Sequence, residues 1–279
     1  MKIKSVLTTA LVTTTALLIA GQSARATLSY NAGDLFLGFR ATDGQGANKD
    51  YLIDIGQASL YAPGSGTFNL NVTGVTGLAA DLSSNSLFGS QWNTLRDDDS
   101  VVTWAVFGTT YTGGGAFTSP VLYVTQQRDQ SNTSIQSDPW LGRANGASIT
   151  TAGKFQQVAG YYKDFGVATA NDPKGTIQDA TNSSSYGAFT SGTADFSVWS
   201  TIQGDFASGT SNSVLDLYLI NPVNGQQSIY QGSFRINDSG AVTYSAAAVP
   251  EPSAIALVGV TASLLAIIFR RRKNAATQS

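Results

Sequence analysis

The chain has 279 residues and a formal net charge of −2, with 42% hydrophobic and 12% charged residues. It contains no cysteine and no histidine. This excludes disulfides, cysteine nucleophiles, histidine-based catalytic triads and metal sites built from these side chains. Nine of the 16 basic residues and all 18 acidic residues lie within 27–269, so this part carries a charge of about −9. Such an acidic surface disfavours nucleic acid and anionic lipid as partners.

The first 26 residues have the three parts of a secretory signal peptide. Lys2 and Lys4 form a positive start, residues 6–20 are apolar and rich in threonine, and Ala24 and Ala26 have the small-x-small spacing of a cleavage site. We therefore expect cleavage after Ala26 and a mature chain that begins at Thr27. An uncut N-terminal anchor is the alternative, which the short, threonine-interrupted apolar core disfavours.

Residues 27–248 predict an exported, β-rich region, long enough for one large all-β domain or two small ones. Apolar runs at 34–40 and 51–55 flank a polar, glycine-rich stretch, which predicts a hairpin. Residues 67–75 alternate as in a half-buried strand. Residues 78–95 predict a short helix or an irregular crossing in which Trp92 packs. Residues 101–107 and 121–125 predict two core strands.

The second half of this region predicts one helix followed by strands. Phe155, Val158, Ala159 and Tyr162 recur at helical spacing within residues 148–165. A polar loop at 171–187 and a strand or short helix at 195–199 follow. Residues 214–220, 228–236 and 241–245, separated by turn residues, predict an antiparallel meander. The fold class expected is mainly β, an antiparallel β-sandwich or jelly-roll-like ectodomain with one or two short helices.

Two groups of aspartates are candidates for chemistry. Asp97 and Asp99 form a fragment of a calcium loop, but no glutamate closes a twelve-residue loop there, and a solvated turn is the favoured interpretation. We therefore expect no metal and no cofactor, since the chain also has no glycine-rich phosphate loop between a strand and a helix.

A second group of four aspartates could crowd together if the first hairpin forms: Asp34, Asp43, Asp50 and Asp54. A pair of carboxyl groups about 5–9 Å apart would resemble a glycosidase site. Aspartates in turns are more common, so catalysis here is the less favoured interpretation.

Four tryptophans offer an alternative function in sugar binding, because flat amphipathic rings stack on the apolar faces of sugars. They are Trp92, Trp104, Trp140 and Trp199. Large aromatic residues in β domains usually pack in the core, so packing is the favoured interpretation.

The C-terminal segment predicts a membrane anchor. Residues 253–269 carry no charge and would form a helix about 25 Å long, close to the thickness of a hydrocarbon core. Arg270, Arg271, Arg272 and Lys273 follow at once, and such a cluster favours the cytoplasmic side. A buried core helix is the alternative, which the four adjacent cations disfavour. Residues 274–279 would then form a short cytoplasmic tail.

The order of Pro250, Glu251 and Pro252, the apolar span and the basic cluster resembles the PEP-CTERM sorting signal of exported bacterial proteins. The resemblance covers about the last 30 residues, with 249–273 as the sorting and anchor segment. It implies that an exosortase-type enzyme of the inner membrane recognises residues 250–252 and cuts near them, and that the basic cluster acts as the membrane stop.

These observations predict a non-enzymatic, exported cell-surface or extracellular-matrix protein. It would be a single-pass inner-membrane intermediate with its domain outside the cytoplasm before it reaches the surface. A carbohydrate-binding module for exopolysaccharide is the alternative, and it requires exposed, coplanar aromatic rings. A secreted hydrolase is a third hypothesis, and it requires two aspartates that converge in a cleft.

Overall fold

A computed structural model describes residues 27–90, 92–93, 102–111, 120–129, 134–140, 142, 145–190, 202–206 and 213–249. Its described strands form one sheet of ten, and all their pairings are antiparallel. In chain order they are β1 (Asp34–Ala41), β2 (Lys49–Gln57), β3 (Thr67–Asn69), β4 (Val102–Thr109), β5 (Leu122–Gln127), β6 (Gly175–Asp179), β7 (Gly204–Asp205), β8 (Ser213–Ile220), β9 (Ile229–Ile236) and β10 (Val242–Ala246). Their order across the sheet is β3-β10-β9-β8-β5-β4-β1-β2-β6, and β7 pairs with β4.

Three α-helices lie among the described residues: α1 (Leu78–Leu82), α2 (Asn145–Phe165) and α3 (Tyr186–Thr190). The predicted helix at 148–165 is confirmed, and with 21 residues it is longer than the short helices expected. None of the described helices has the length and apolar character needed to cross a membrane. The predicted span at 253–269 lies outside the described residues.

The sheet is curled into a half-barrel and has a separate apolar cluster on each face. The inner cluster joins side chains from strands that are distant in the sheet, such as Phe39 of β1 and Phe234 of β9. Because neighbouring strands lie about 4.8 Å apart, these side chains meet only if the sheet curls. The outer cluster packs β1, β4 and β5 against Phe155, Val158 and Tyr162 of α2.

The first hairpin is confirmed. β1 pairs with β2, and on its other side with β4, so β1 lies inside the sheet and is buried on both faces. The turn between β1 and β2 contains Gly44 and Gly46 with φ of 67° and 82°. A Cβ atom on Gly46 would lie 2.7 Å from the carbonyl oxygen of Leu87, so this turn needs glycine for conformation and for space.

The meander at the C-terminal end is also confirmed, with β8 paired to β9 and β9 to β10. The expected β-sandwich is wrong in one respect, because the described strands form one continuous sheet rather than two packed sheets. The pairing of β5 with β8 causes this difference. It joins the N-terminal strands to the meander edge to edge, whereas a sandwich needs a break between them.

Two local predictions are wrong. Residues 67–75 form only the short β3 and then a 3-10 turn at Leu70–Thr73, because the Asn69 side chain accepts a hydrogen bond from the backbone N–H of Asn71 at 3.1 Å. Such a bond competes with strand pairing. The predicted polar loop at 171–187 contains the edge strand β6 and the start of α3. The element predicted at 195–199 lies outside the described residues.

Candidate functional site

Most of the predicted site residues lie outside the described residues. These are Ala24 and Ala26 of the cleavage site, Asp97 and Asp99 of the weak metal candidate, Pro250, Glu251 and Pro252 of the sorting motif, and Arg270, Arg271, Arg272 and Lys273 of the basic cluster. The structure therefore leaves these residues as predictions. It describes the points where the domain meets both terminal segments, and it describes the remaining aspartates and three tryptophans.

The domain ends a few residues before the sorting motif. The backbone N–H of Ala246 donates to the carbonyl of Gly66 at 2.9 Å, and that of Ala247 donates to the carbonyl of Gln231 at 2.7 Å. The carbonyl of Ala247 accepts from Gly64 at 2.9 Å. Val249 is already 56% exposed. The last residues before the motif are thus bonded to the sheet, and Val249, the last described residue, is exposed.

At the other terminus, the described chain begins beside a cavity of about 240 Å³ that contains two of the four candidate aspartates. Thr27 and Leu28 line it together with Asp34 of β1 and Asp54 of β2. Asp34 is 3% and Asp54 7% exposed, so both carboxyl groups are buried. The two residues share one face of the hairpin, because Asp54 is opposite Phe36 in the register.

Hydrogen bonds hold the carboxyl group of Asp34 on both of its oxygens. Oδ2 accepts the backbone N–H of Asn31 at 2.7 Å, and Oδ1 accepts the side-chain amide of Gln57. Oδ1 of Asp54 accepts the backbone N–H of Gly56 at 2.7 Å. Three of the four carboxyl oxygens therefore accept hydrogen bonds at the hairpin ends, two from backbone N–H groups and one from the Gln57 side chain.

The charge of this pair is poorly compensated. Burial raises the pKa of Asp54 to about 6, and the negative charge of Asp34 adds to this effect, while the Gly56 N–H and the Lys174 ammonium act in the opposite direction. Burial, together with Asp34 and Asp54, also raises the pKa of Tyr30 to about 12. At neutral pH the cavity therefore contains the Asp54 carboxylate, next to Asp34, beside a neutral tyrosine.

The structure does not bring the other two candidate aspartates to this cavity. Asp43 is exposed in the β1–β2 turn, where its carboxylate accepts the N–H of Gly44. Asp50 lies on the same face of β2 as Asp54 but near α3, where it accepts the backbone N–H of Gly187. Burial raises the pKa of Asp50 to about 7, and its Oδ1 has no hydrogen-bond partner.

A further aspartate pair joins the chain around the start of α1 to residues 171 and 172, a contact that the sequence did not predict. Asp81 accepts hydrogen bonds from the Tyr51 hydroxyl and the Asn171 amide, each at 2.8 Å. Asp172 accepts the backbone N–H groups of Thr76 and Gly77 at 2.9 and 3.2 Å. The bonds of Asp81 to Asn171 and of Asp172 to residues 76 and 77 connect residues 90 to 96 positions apart, and no local pattern in the sequence could indicate them.

Two of the four tryptophans proposed as an alternative sugar-stacking face are buried. Trp92 is 4% and Trp104 0% exposed, so both belong to the inner core, as the favoured interpretation predicted. Trp140 is partly buried against the outer cluster. Trp199 lies outside the described residues.

The model of the PEP-CTERM protein-sorting motif matches residues 248–273 of the chain. This match confirms the resemblance of the C-terminal segment, and it begins one residue after Ala247, the last described residue that hydrogen-bonds to the sheet. No curated protein and no solved structure matches the chain.

Proposed function

We propose that the chain is an exported protein processed by an exosortase-type enzyme and that its domain is a non-enzymatic cell-surface or extracellular-matrix component, because it carries a PEP-CTERM protein-sorting motif. In this proposal residues 1–26 are removed on export. Residues 27–248 lie outside the cytoplasm, and residues 253–269 hold the protein in the inner membrane. The sorting enzyme then acts near Pro250, Glu251 and Pro252.

The observation that carries the proposal is the position of the motif relative to the fold. Ala246 and Ala247 make the last described hydrogen bonds of the chain, and the motif starts at residue 248. A cut near residues 250–252 would thus remove no backbone bond that the described domain uses. The tail has the position of a detachable anchor, which is what a sorting signal requires.

The composition of the domain supports a structural role. Without histidine or cysteine, acid–base chemistry would depend on aspartate, lysine or tyrosine. Asp34 and Asp54 have three of their four carboxyl oxygens engaged in hydrogen bonds to the hairpin ends. Both faces of the sheet are covered by apolar clusters, which gives a rigid body suited to display on a surface.

A secreted hydrolase is the second candidate, since one observation favours it. Asp34 and Asp54 converge in a cavity, and the raised pKa of Asp54 is a property of a general acid. Exopolysaccharide binding has weaker support. A polar groove of about 370 Å³ beside β10 includes Asn69, Asn71 and Ser239, but none of its described lining residues is aromatic.

The test is fractionation of cells followed by intact-mass measurement of both termini. In wild-type cells we expect a protein that starts at Thr27 and ends near residues 250–252. In cells without the sorting enzyme, or with Glu251→Ala, we expect a membrane-bound protein that still contains residues 253–279. Pro222→Ala is the matched control, because this proline lies in the β8–β9 turn and should leave sorting unchanged. Soluble full-length protein in the cytoplasm would overturn the proposal.

A hydrolase is tested separately with purified protein and polysaccharide substrates. The Asp54→Asn variant distinguishes the two candidates. Loss of a measurable hydrolytic rate on this substitution would favour the enzyme, whereas the surface role predicts that neither the parent nor the variant hydrolyses the substrates.

A further inference from the structure

The cavity at the start of the domain contains negative charge without a paired cation. Among the described residues, no lysine or arginine forms an ion pair with Asp34 or Asp54. Lys174 lines the cavity, but its ammonium donates to the carbonyl oxygen of Thr73 at 2.6 Å. Asp54 is only 7% exposed, and its described hydrogen bonds are the one from the Gly56 N–H and one shared with the Asp34 carboxyl group. Buried carboxylates of this kind favour a cationic ligand.

The remaining groups that face the pair do not supply this cation. Tyr162 lines the cavity, and its hydroxyl donates to the carbonyl of Lys174 at 2.6 Å. Burial, with Asp54 as a nearby negative charge, raises the pKa of Tyr162 well above its ordinary value, and the pKa of Tyr30 is raised by the same kinds of cause. Both tyrosines are therefore neutral at physiological pH.

The expected signal cleavage would create a cation at this position. Hydrolysis of the Ala26–Thr27 bond consumes one water and leaves a carboxylate on Ala26 and an ammonium group on Thr27. The α-amino group of a chain has an ordinary pKa near 8, so it is largely charged at neutral pH. Thr27 lines the same cavity as Asp34 and Asp54. In the precursor, the corresponding atom is an uncharged amide nitrogen that leads to Ala26.

The neighbouring residues restrict the amino group to the region of the cavity. Leu28 is 3% exposed and packs in the outer cluster. The backbone N–H of Asn31 donates to Asp34, and that of Asp34 donates to the carbonyl of Asn31 at 3.0 Å. Consecutive Cα atoms are about 3.8 Å apart, so the Thr27 nitrogen cannot move far from the buried Leu28. This restriction gives the amino group a high effective concentration at the cavity.

We propose that the α-ammonium group released at Thr27 binds in this cavity to the Asp34–Asp54 carboxylate pair. The inference rests on the proposed export of the chain with cleavage after Ala26. It makes the pair a binding site for the mature N-terminus, a primary ammonium ligand that belongs to the same chain. The precursor lacks this ion pair, so removal of the signal peptide would stabilise the domain after it has crossed the membrane.

The stabilisation of the fold by this ion pair should depend on pH, because binding changes the pKa of the Thr27 amine and that of Asp54. Binding raises the pKa of the Thr27 amine in the folded protein, so its stabilisation is fully present below the ordinary pKa near 8 and is lost as the pH rises through the raised value. The same ammonium lowers the pKa of Asp54, so the stabilisation also declines when Asp54 is protonated at low pH. We therefore expect the greatest effect near neutral pH.

The experiment compares three forms of the chain from Thr27 to Ser279 in the same detergent. The first has a free amino group at Thr27, the second is acetylated there, and the third retains Ala26. The pKa of the amino group is measured from the pH dependence of its reaction with an amine-specific reagent, with a Thr-Leu-Ser peptide as reference. We expect a pKa at least one unit above that of the peptide, and a melting temperature about 3 °C or more above the acetylated form at pH 7.

Two aspartate variants identify the partner of the amino group. Asp54→Asn should return the pKa of the amine to the peptide value, whereas Asp238→Asn, an exposed aspartate in the β9–β10 turn, should leave it raised. The acetylated form leaves the cavity side chains intact, so it gives a result even if Asp54→Asn does not fold. A peptide-like pKa and a melting temperature unaffected by acetylation would overturn the proposal. If protein from cells begins at another residue, the assignment of the signal peptide fails, while these measurements still decide whether the site binds the amine.

Discussion

The end of the domain at Ala247 can be tested by comparing loss of the tail with damage to the last strand. One variant stops after Val249, which removes the whole sorting segment beyond it. The others change Tyr244, which is fully buried in β10. All are made in the chain that begins at Thr27, and all are measured in the same detergent.

The structure sets the expected magnitudes. The Tyr244 ring lies 5.0 Å from Tyr61, 4.9 Å from Phe234 and 5.5 Å from Phe68, measured between ring centroids. Removing a large buried aromatic side chain costs about 3–5 kcal/mol, which we expect for Tyr244→Ala. The hydroxyl donates to the carbonyl of Gln231 at 2.8 Å and to that of Tyr61. Tyr244→Phe keeps the ring and leaves the buried carbonyl of Tyr61 without this donor, which costs about 1–3 kcal/mol.

The assay is urea unfolding followed by tryptophan fluorescence, because Trp104 is fully buried in the inner core. The midpoint and the slope give the free energy of unfolding for each variant. For the chain that stops after Val249, we expect a free energy of unfolding within about 0.5 kcal/mol of the parent value, because changes outside the packed core usually have effects of this size. If deletion of the tail costs as much as Tyr244→Ala, the tail is part of the packed domain and the reasoning is wrong.

Other variants test two buried carboxyl groups of the sheet and one glycine that leaves no space for a side chain. Asp216→Asn should lower the free energy of unfolding by about 3–5 kcal/mol, because it removes the ion-pair partner of the buried Arg128. The double variant with Arg128→Met should lower it by less than the sum of the two single changes. Asp50→Asn should make the protein more stable than the parent at pH 8 by up to roughly 4 kcal/mol, because folding raises the pKa of Asp50 to about 7 and burial disfavours its charged form. At pH 4 the folded protein already holds Asp50 uncharged, so the substitution should have little effect there. Equal pH profiles for parent and variant would contradict this. Gly38→Val should lower the melting temperature by at least about 4 °C, because a Cβ atom there would lie 2.9 Å from the Tyr186 ring; Gly153→Ala, in an open position on α2, should not lower it.

Several elements could be predicted because their signals are local. The β1–β2 hairpin has two apolar runs around glycines, and the turn needs those glycines for their positive φ. Helix α2 has Phe155, Val158 and Tyr162 on one face at a spacing that only a helix brings together. The sorting segment is likewise recognised from the order of its residues along the sequence, and its match to the motif model covers residues 248–273.

Other features depend on contacts between distant parts of the chain. β6 has only one large apolar residue, Ile177, and becomes a strand because β2 offers an unpaired edge. The inner and outer clusters form only after β5 pairs with β8 and the sheet curls. The sequence suggested that four aspartates could lie close together, and two of them, Asp34 and Asp54, share a cavity. The irregularity in register between Leu35 and Phe36 decides how these carboxyl groups are arranged.

The sequence alone identified the sorting motif and predicted the signal peptide and the anchor, because such signals are short linear segments whose charge and apolar length act directly on a membrane and its enzymes. It also determined the β character of the domain through the alternation of side chains along each strand. The tertiary structure decided that there is one sheet instead of two, and that Thr27 lies beside two buried carboxyl groups. Such contacts join residues by the pairing of strands, and the free energy of each pairing depends on every other pairing in the sheet.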